Sequence, residues 1–186
     1  MLEEIGEPYE LTIMDWEQGK SEEHRARQPL GRVPVVEFDD GYVFESAAIC
    51  LHLADLHPEA GLIAELRTHA RALAYQWSVF APAELEPPLI EGAIFRDAQP
   101  ERAEKARGRF LKAAAAVAQS LDGDEYLVAG RFGVADVLVG TALSFAQRAR
   151  FPEPLPAGLD DYLARLFERP AYQRALERSS AAAAAS

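Results

Sequence analysis

One cysteine in 186 residues rules out an internal disulfide, so the chain suits a reducing compartment. Positive charge is scarce as well. Lys and Arg number 19 against 30 Asp and Glu, and the net charge of -11 argues against nucleic acid or an anionic membrane as the main partner. An anionic ligand must therefore be held by a local site against a repulsive background. No apolar run approaches membrane-spanning length. The opening MLEEIGEPYE has neither the basic region nor the apolar stretch of a signal peptide, and the cytoplasm is the expected location. Familiar catalytic signatures are missing too. There is no HExxH, paired CxxC, GxSxG, P-loop or GxGxxG, so nothing points to hydrolase, nucleotide or dinucleotide chemistry. His52 and His57 have the wrong spacing for two ligands on one helical face, and His24 and His69 stand alone, so no metal site is expected.

What is present is a globular composition. Hydrophobic residues make up 49%, enough for a sizeable core in one large domain or two small ones. The organising stretch is Leu30 to Asp55, LGRVPVVEFDDGYVFESAAICLHLAD, which parses as strand, tight turn, strand and helix. Val33 to Phe38 is β-branched and apolar, Asp39-Asp40-Gly41 supplies turn chemistry, and Tyr42-Val43-Phe44 returns. Ser46 is expected to cap the helix that follows, and Ile49 three residues later leaves it without a capping-box partner. A hydroxyl, free backbone N–H groups and the positive end of a helix dipole then make this end a candidate carboxylate site. The Val33-Pro34 bond is a candidate cis peptide, the alternative being an ordinary trans proline in an edge strand. Cys50, inside the apolar helix, reads as a small core residue with an unactivated thiol.

The flanking segments follow from periodicity. Leu2 and Ile5 have helical spacing before Gly6, yet five residues cannot nucleate a helix alone, so the chain reads as opening within one. Tyr9, Leu11 and Ile13 alternate with Glu10, Thr12 and Met14, which predicts a half-buried strand after Pro8. Lys20 to Gln28 is a short polar helix or turn, with a plain solvated face as the alternative. LHPEAGLIAE reads as a linker, and everything beyond it is helical. Glu65 to Phe80 has helical spacing, with Pro82 and Pro87-Pro88 expected to kink or end it. Gln99 to Leu121 is a long amphipathic helix, and Val134 to Phe145 is apolar nearly all round, hence central. Asp136 lies three residues after Gly133, capping-box spacing that makes it structural rather than catalytic. The Ala-rich tail from Ser179 to Ser186 has nothing to bury and is expected to fray.

At this point the residues carry a resemblance. QPLGRVPVVEFDDGYVFESAAICLHLAD resembles the glutathione-binding half of the cytosolic glutathione S-transferases, whose pattern is P-x-G-x-V-P, a D-G turn and E/Q-S-x-A-I. GKSEEHRAR is similar to the helix after the second strand in plant-type and bacterial members, and EYLVAGRFGVADVLVGTALSFAQ extends the likeness into the C-terminal half. The resemblance implies an α+β fold: a thioredoxin-like domain over 1–57, a linker over 58–64, an all-α helical bundle over 65–178 and the tail. In the family a first strand and the start of the first helix precede the match to LEEIGEPYEL, and they carry the catalytic Tyr, Ser or Cys. No residue here aligns with that group, so the thioredoxin-like domain reads as truncated at its start and the catalytic residue is unknown.

The same resemblance implies a reaction and its residues. Glutathione is the implied co-substrate, its thiolate attacking a small hydrophobic electrophile in a detoxifying conjugation, with no metal. Val33 and Pro34 would hold the cysteinyl backbone, Glu45 and Ser46 the γ-glutamyl amine and carboxylate, and Lys20, then Arg32, the glycine carboxylate. Tyr75, Trp77 and Phe80 would line the electrophile pocket, the alternative being plain core. A homodimer is the family norm. The same architecture also serves non-catalytic binding and assembly modules, which is the alternative function.

Overall fold

The computed structural model describes residues 1–148 and 154–185. The chain divides into two compact units, one of residues 1–60 with 169–186 and the other of residues 61–168.

The first unit is built on a hairpin. β1 (Val35–Phe38) and β2 (Gly41–Phe44) pair antiparallel with Val35 opposite Phe44 and Phe38 opposite Gly41, as the Asp39-Asp40 turn dictates. Helix α4 (Ser46–Leu56) follows directly and buries Ile49, Leu53 and Ala54. Before the hairpin come α1 (Leu2–Ile5), α2 (Trp16–Gly19) and α3 (Glu22–Arg27). After α4 the chain makes a 3-10 turn, Pro58–Ala60, and the unit is completed from the far end of the sequence by α10 (Pro170–Ala185). Chain order had placed residues 169–178 with the helical bundle. The structure groups them with the first unit, because three arginines of this end reach α1.

That contact explains two departures from the sequence reading. Arg169 makes a two-pronged pair with Glu4, Nε and Nη2 each 2.8 Å from a carboxylate oxygen. Arg174 reaches Glu3 at 2.9 Å, and Arg178 donates to the Tyr9 carbonyl at 3.1 Å while its guanidinium lies 4.3 Å over the Tyr9 ring. A helix of 4 residues too short to nucleate alone is thereby pinned in place. The strand expected over Tyr9–Met14 does not form: residues 7–15 carry no strand, and the sheet has two strands among the described residues. Pro8 offers no N–H, and the Tyr9 carbonyl is taken by a side chain rather than by a neighbouring strand. The tail also differs. Helix α10 runs through the alanines to Ala185 instead of fraying from Ser179, in keeping with alanine's leading helix propensity.

The α1–α10 clasp has a pH consequence. The Arg174 hydrogen bond, then Tyr9 and Arg178, hold the Glu3 carboxyl below the usual carboxylate range, outweighing its burial. A depressed folded-state value stabilises above the ordinary carboxylate pKa and is lost as pH falls through the lowered one. Amides of residues 170–178 should therefore exchange faster at about pH 3 than at about pH 6, after correction for intrinsic rates, with α7 unaffected. Equal protection at both values would disprove the linkage.

The second unit is built mainly of helices among the described residues. Helix α5 (His69–Phe80) starts four residues later than the spacing suggested, because Thr68 Oγ1 accepts the Arg71 N–H at 3.1 Å and caps it. Pro82 does not end the run. A π-helical turn, Ala81–Leu85, absorbs it, and Pro87 and Pro88 fall in the first turn of α6 (Glu86–Ile94), where a missing N–H is harmless. Helices α7 (Pro100–Leu121), α8 (Val134–Arg148) and α9 (Leu159–Phe167) complete the unit. The core is built on Phe110, Val117, Val134, Val139, Leu143, Leu159 and Tyr162, all at 0 % exposure. Asp136 is the polar post inside it. Its carboxylate accepts the Leu127 N–H at 3.0 Å, the Gly133 N–H at 3.0 Å and the Tyr162 hydroxyl at 2.9 Å. The capping role read from spacing is thus present, with two partners that spacing did not reveal.

Candidate functional site

The residues singled out around the hairpin meet at one end of it. Since Val35 pairs with Phe44, the residues just before β1 and just after β2 emerge at the same end. Val33 and Pro34 stand there with Glu45 and Ser46. The Val33-Pro34 peptide is cis, and Val33 lies outside the ladder at 64 % exposure.

On the other side of that end, Glu45 rather than Ser46 caps α4. Glu45 has φ 72 and ψ 118, which is not helical, so the helix proper begins at Ser46, one residue earlier than a cap at Ser46 implies. Its carbonyl accepts the Ile49 N–H at 2.9 Å. No side chain among the described residues caps this terminus, and its first turn carries no acidic residue. The N–H groups of Ser46, Ala47 and Ala48, the half-buried Ser46 hydroxyl and the dipole of an 11-residue helix are therefore available to an anion.

Lys20 and Arg32 are brought beside each other by their glycine neighbours. Lys20 joins α2 to α3, so the polar stretch is two helices with a joint rather than one. Asp15 and Gln18 form a reciprocal capping box at the start of α2, and Ser21 Oγ caps α3 through the His24 N–H. At the joint the backbones of Gly19 and Gly31 touch: a Cβ on Gly31 would lie 2.4 Å from the Gly19 carbonyl oxygen. Lys20 Nζ lies 2.6 Å from the Glu17 carboxylate, both side chains being well exposed. Such a surface pair contributes about 1 kcal/mol or less, so a ligand carboxylate can compete for the ammonium. The Arg32 side chain is exposed.

Two residues that the sequence reading passed over hold this loop. His24 and Gln28 are buried, each at 2 % exposure. His24 Nε2 donates to the Arg32 carbonyl at 2.8 Å, which fixes the ring hydrogen on that nitrogen. Gln28 Oε1 accepts the Leu30 N–H at 2.6 Å and the Arg32 N–H at 3.1 Å. The chain approaching Val33 is thus set by two side chains one helical turn apart, spacing that was the one signal available in a polar segment.

Elsewhere, burial pushes the Cys50 thiol up to about 11, so it is no nucleophile at neutral pH. The α5 aromatics belong to the second unit. Trp77 is 5 % exposed and stacks edge-on with Phe80 at 5.1 Å, as a core residue does. Tyr75 is more open, its hydroxyl accepting from Arg71 Nε at 2.8 Å.

Residues 1–55 match the family model described as glutathione S-transferase, N-terminal domain. A glutathione S-transferase of Xanthomonas campestris pv. campestris is 28% identical over 176 residues, covering 91% of this chain and 86% of that protein. A glutathione S-transferase-like protein of Aspergillus terreus is 32% identical over 156 residues, covering 80% of this chain and 68% of its own length. The chain belongs to the glutathione S-transferase family. A solved bacterial glutathione S-transferase, BphK in a ternary complex, matches with a TM-score of 0.86 and 26% identity, over 96% of this chain and 91% of that one. The α+β architecture, a small thioredoxin-like unit and a helical one, is therefore the transferase fold. Every glutathione-binding candidate, from Lys20 to Ser46, lies inside the matched transferase segment.

Proposed function

We propose that this protein conjugates glutathione to small hydrophobic electrophiles: the thiol proton leaves to solvent, the sulfur bonds to an electrophilic carbon, and that carbon gives up either a leaving group with its electron pair or a π pair that solvent protonates. The observation that carries the reading is the uncapped start of α4 at Ser46, beside the exposed cis Val33-Pro34 segment. The Ser46 hydroxyl and the first-turn N–H groups take the γ-glutamyl carboxylate, and Glu45 takes its amino group. Val33 pairs its free backbone with the cysteinyl residue, Pro34 holding it outside the ladder. Lys20 and Arg32, steered together by Gly19 and Gly31, take the glycine carboxylate.

The electrophile is placed on Tyr75 and Phe80, with Trp77 packed behind Phe80. The proposed setting is the cytoplasm, in keeping with a single unactivated thiol, and the role is detoxification. The proposed assembly is a homodimer, supported by the exposed apolar side chains of Val79, Ile90 and Ile94, and sedimentation of the purified chain reads its mass directly.

Calorimetric titration of the full chain with glutathione tests the site. The parent is expected to bind, and Ser46→Ala to bind about tenfold more weakly, the loss of one charge-assisted hydrogen bond. A folded parent that takes up no glutathione, or a variant that binds as tightly, would overturn the assignment and leave a non-catalytic module as the better description.

A further inference from the structure

The helical unit carries a charge feature that the glutathione reading does not use. On a chain of net charge -11, α7 presents Arg102, Lys105, Arg109 and Lys112 along one side, at steps of three, four and three residues. They line an open groove of about 700 Å³, faced by Glu91 of α6. Gly108 leaves the groove clear, since a Cβ there would meet nothing within 4 Å.

Glu91 fixes two of the four cations. Arg102 Nε lies 2.6 Å from one of its oxygens, and Arg109 Nη2 bonds the other. The Arg102 guanidinium also sits 3.7 Å over the Phe95 ring, which holds its plane. Arg102 first, and then Arg109, keep the Glu91 carboxyl below the usual range, so it stays ionised at neutral pH. Lys105 and Lys112 have no carboxylate partner among the described residues, and both are exposed.

Four cations therefore face one carboxylate. Helical neighbours at these steps are about 5–6 Å apart, inside the Debye length of about 8 Å at physiological ionic strength, so their potentials add. Like charges so aligned disfavour the helix unless a counter-charge is supplied. The groove's volume falls in the range of small-molecule sites, about 300–1,000 Å³, and is too large for a single inorganic ion.

We propose that this groove binds a small polyanion, a molecule bearing several phosphate or carboxylate groups, through Lys105 and Lys112 with the arginine N–H groups not used by Glu91. The site is confined to the second unit and does not depend on the glutathione reading.

The test is calorimetry on the full chain with tripolyphosphate and, separately, citrate, at low salt. One of the two is expected to bind with one-to-one stoichiometry, and the tighter of them tells phosphate from carboxylate preference. The double variant Lys105→Ala/Lys112→Ala should weaken that binding about tenfold, and Lys105→Arg/Lys112→Arg should retain it within about twofold. Both positions are exposed, and circular dichroism checks that the variants fold. Binding by neither anion overturns the proposal, as does equal binding by parent and alanine variant. A loss on Ser46→Ala overturns it too, by placing the anion at α4 instead.

Discussion

Asp136→Ala is expected to lower the unfolding free energy by about 4 kcal/mol, read from urea denaturation followed by circular dichroism. The substitution leaves three donors without their acceptor: the Leu127 N–H, the Gly133 N–H and the Tyr162 hydroxyl. Each orphaned buried donor costs about 1–3 kcal/mol, and the three share one carboxylate, so their losses add only in part. Of them, the Gly133 N–H sits at a helix start where water can help, whereas Tyr162 is at 0 % exposure. Asp136→Asn keeps one acceptor oxygen and should lose less than the alanine variant. The two variants also separate hydrogen bonding from charge. Burial pushes the Asp136 carboxyl above its usual value, and the Leu127 and Tyr162 donors pull it only part of the way back. A raised folded-state value means the native form holds its proton longer, so the contribution is full below the ordinary Asp pKa and is lost as pH rises through the raised one. Relative to Asp136→Asn, the parent should therefore lose stability between acid and neutral pH. A parallel pH course for the two proteins would reject this account, and an alanine penalty under about 1 kcal/mol would reject the network.

Gly31→Ala is the second large effect, with an expected loss of about 3 kcal/mol together with glutathione binding. Gly31 has φ +67, where an L side chain costs about 1–2 kcal/mol, and the new Cβ would lie 2.4 Å from the Gly19 carbonyl oxygen. Backbone is the obstacle, so relief requires the α2–α3 joint to move, an overpacking cost of about 1–3 kcal/mol. The movement separates Lys20 from Arg32 and shifts the chain approaching Val33. Gly6→Ala is the control. Its φ is +85 but nothing lies within 4 Å of the added Cβ, so the backbone term should appear alone, at about 1 kcal/mol. Equal losses at the two positions would show that the Gly19–Gly31 contact does not matter.

The hairpin was legible because turn residues and β-branched runs act locally. Asp39-Asp40-Gly41 sets the register wherever it is placed, and the register carries Val33, Pro34, Glu45 and Ser46 to one end. Which isomer the Val33-Pro34 peptide takes was left open by residue type. The helix start was misjudged by one residue because Glu45 adopts a left-handed φ that its side chain does not advertise. Tyr9–Met14 has the period of a strand, but a strand also needs a ladder, and the Tyr9 carbonyl is bonded by Arg178 from the other end of the sequence. His24 and Gln28 were hidden for a related reason. Hydropathy counts them as surface residues, and their burial is intelligible only once the Arg32 backbone is seen to use them.

The partnership of Glu4 with Arg169 spans 165 residues of sequence. At ribosomal rates of about 5–20 residues per second, roughly ten to thirty seconds separate the two halves of that pair during synthesis. The helical unit is complete in sequence by then, since it is drawn from residues 61–168. The hairpin unit has to wait with its opening helix untethered, and the last arginines to be made are the ones that fasten the first residues. A released fragment ending at Glu168 should thus hold a protease-resistant helical unit and a cleavable beginning.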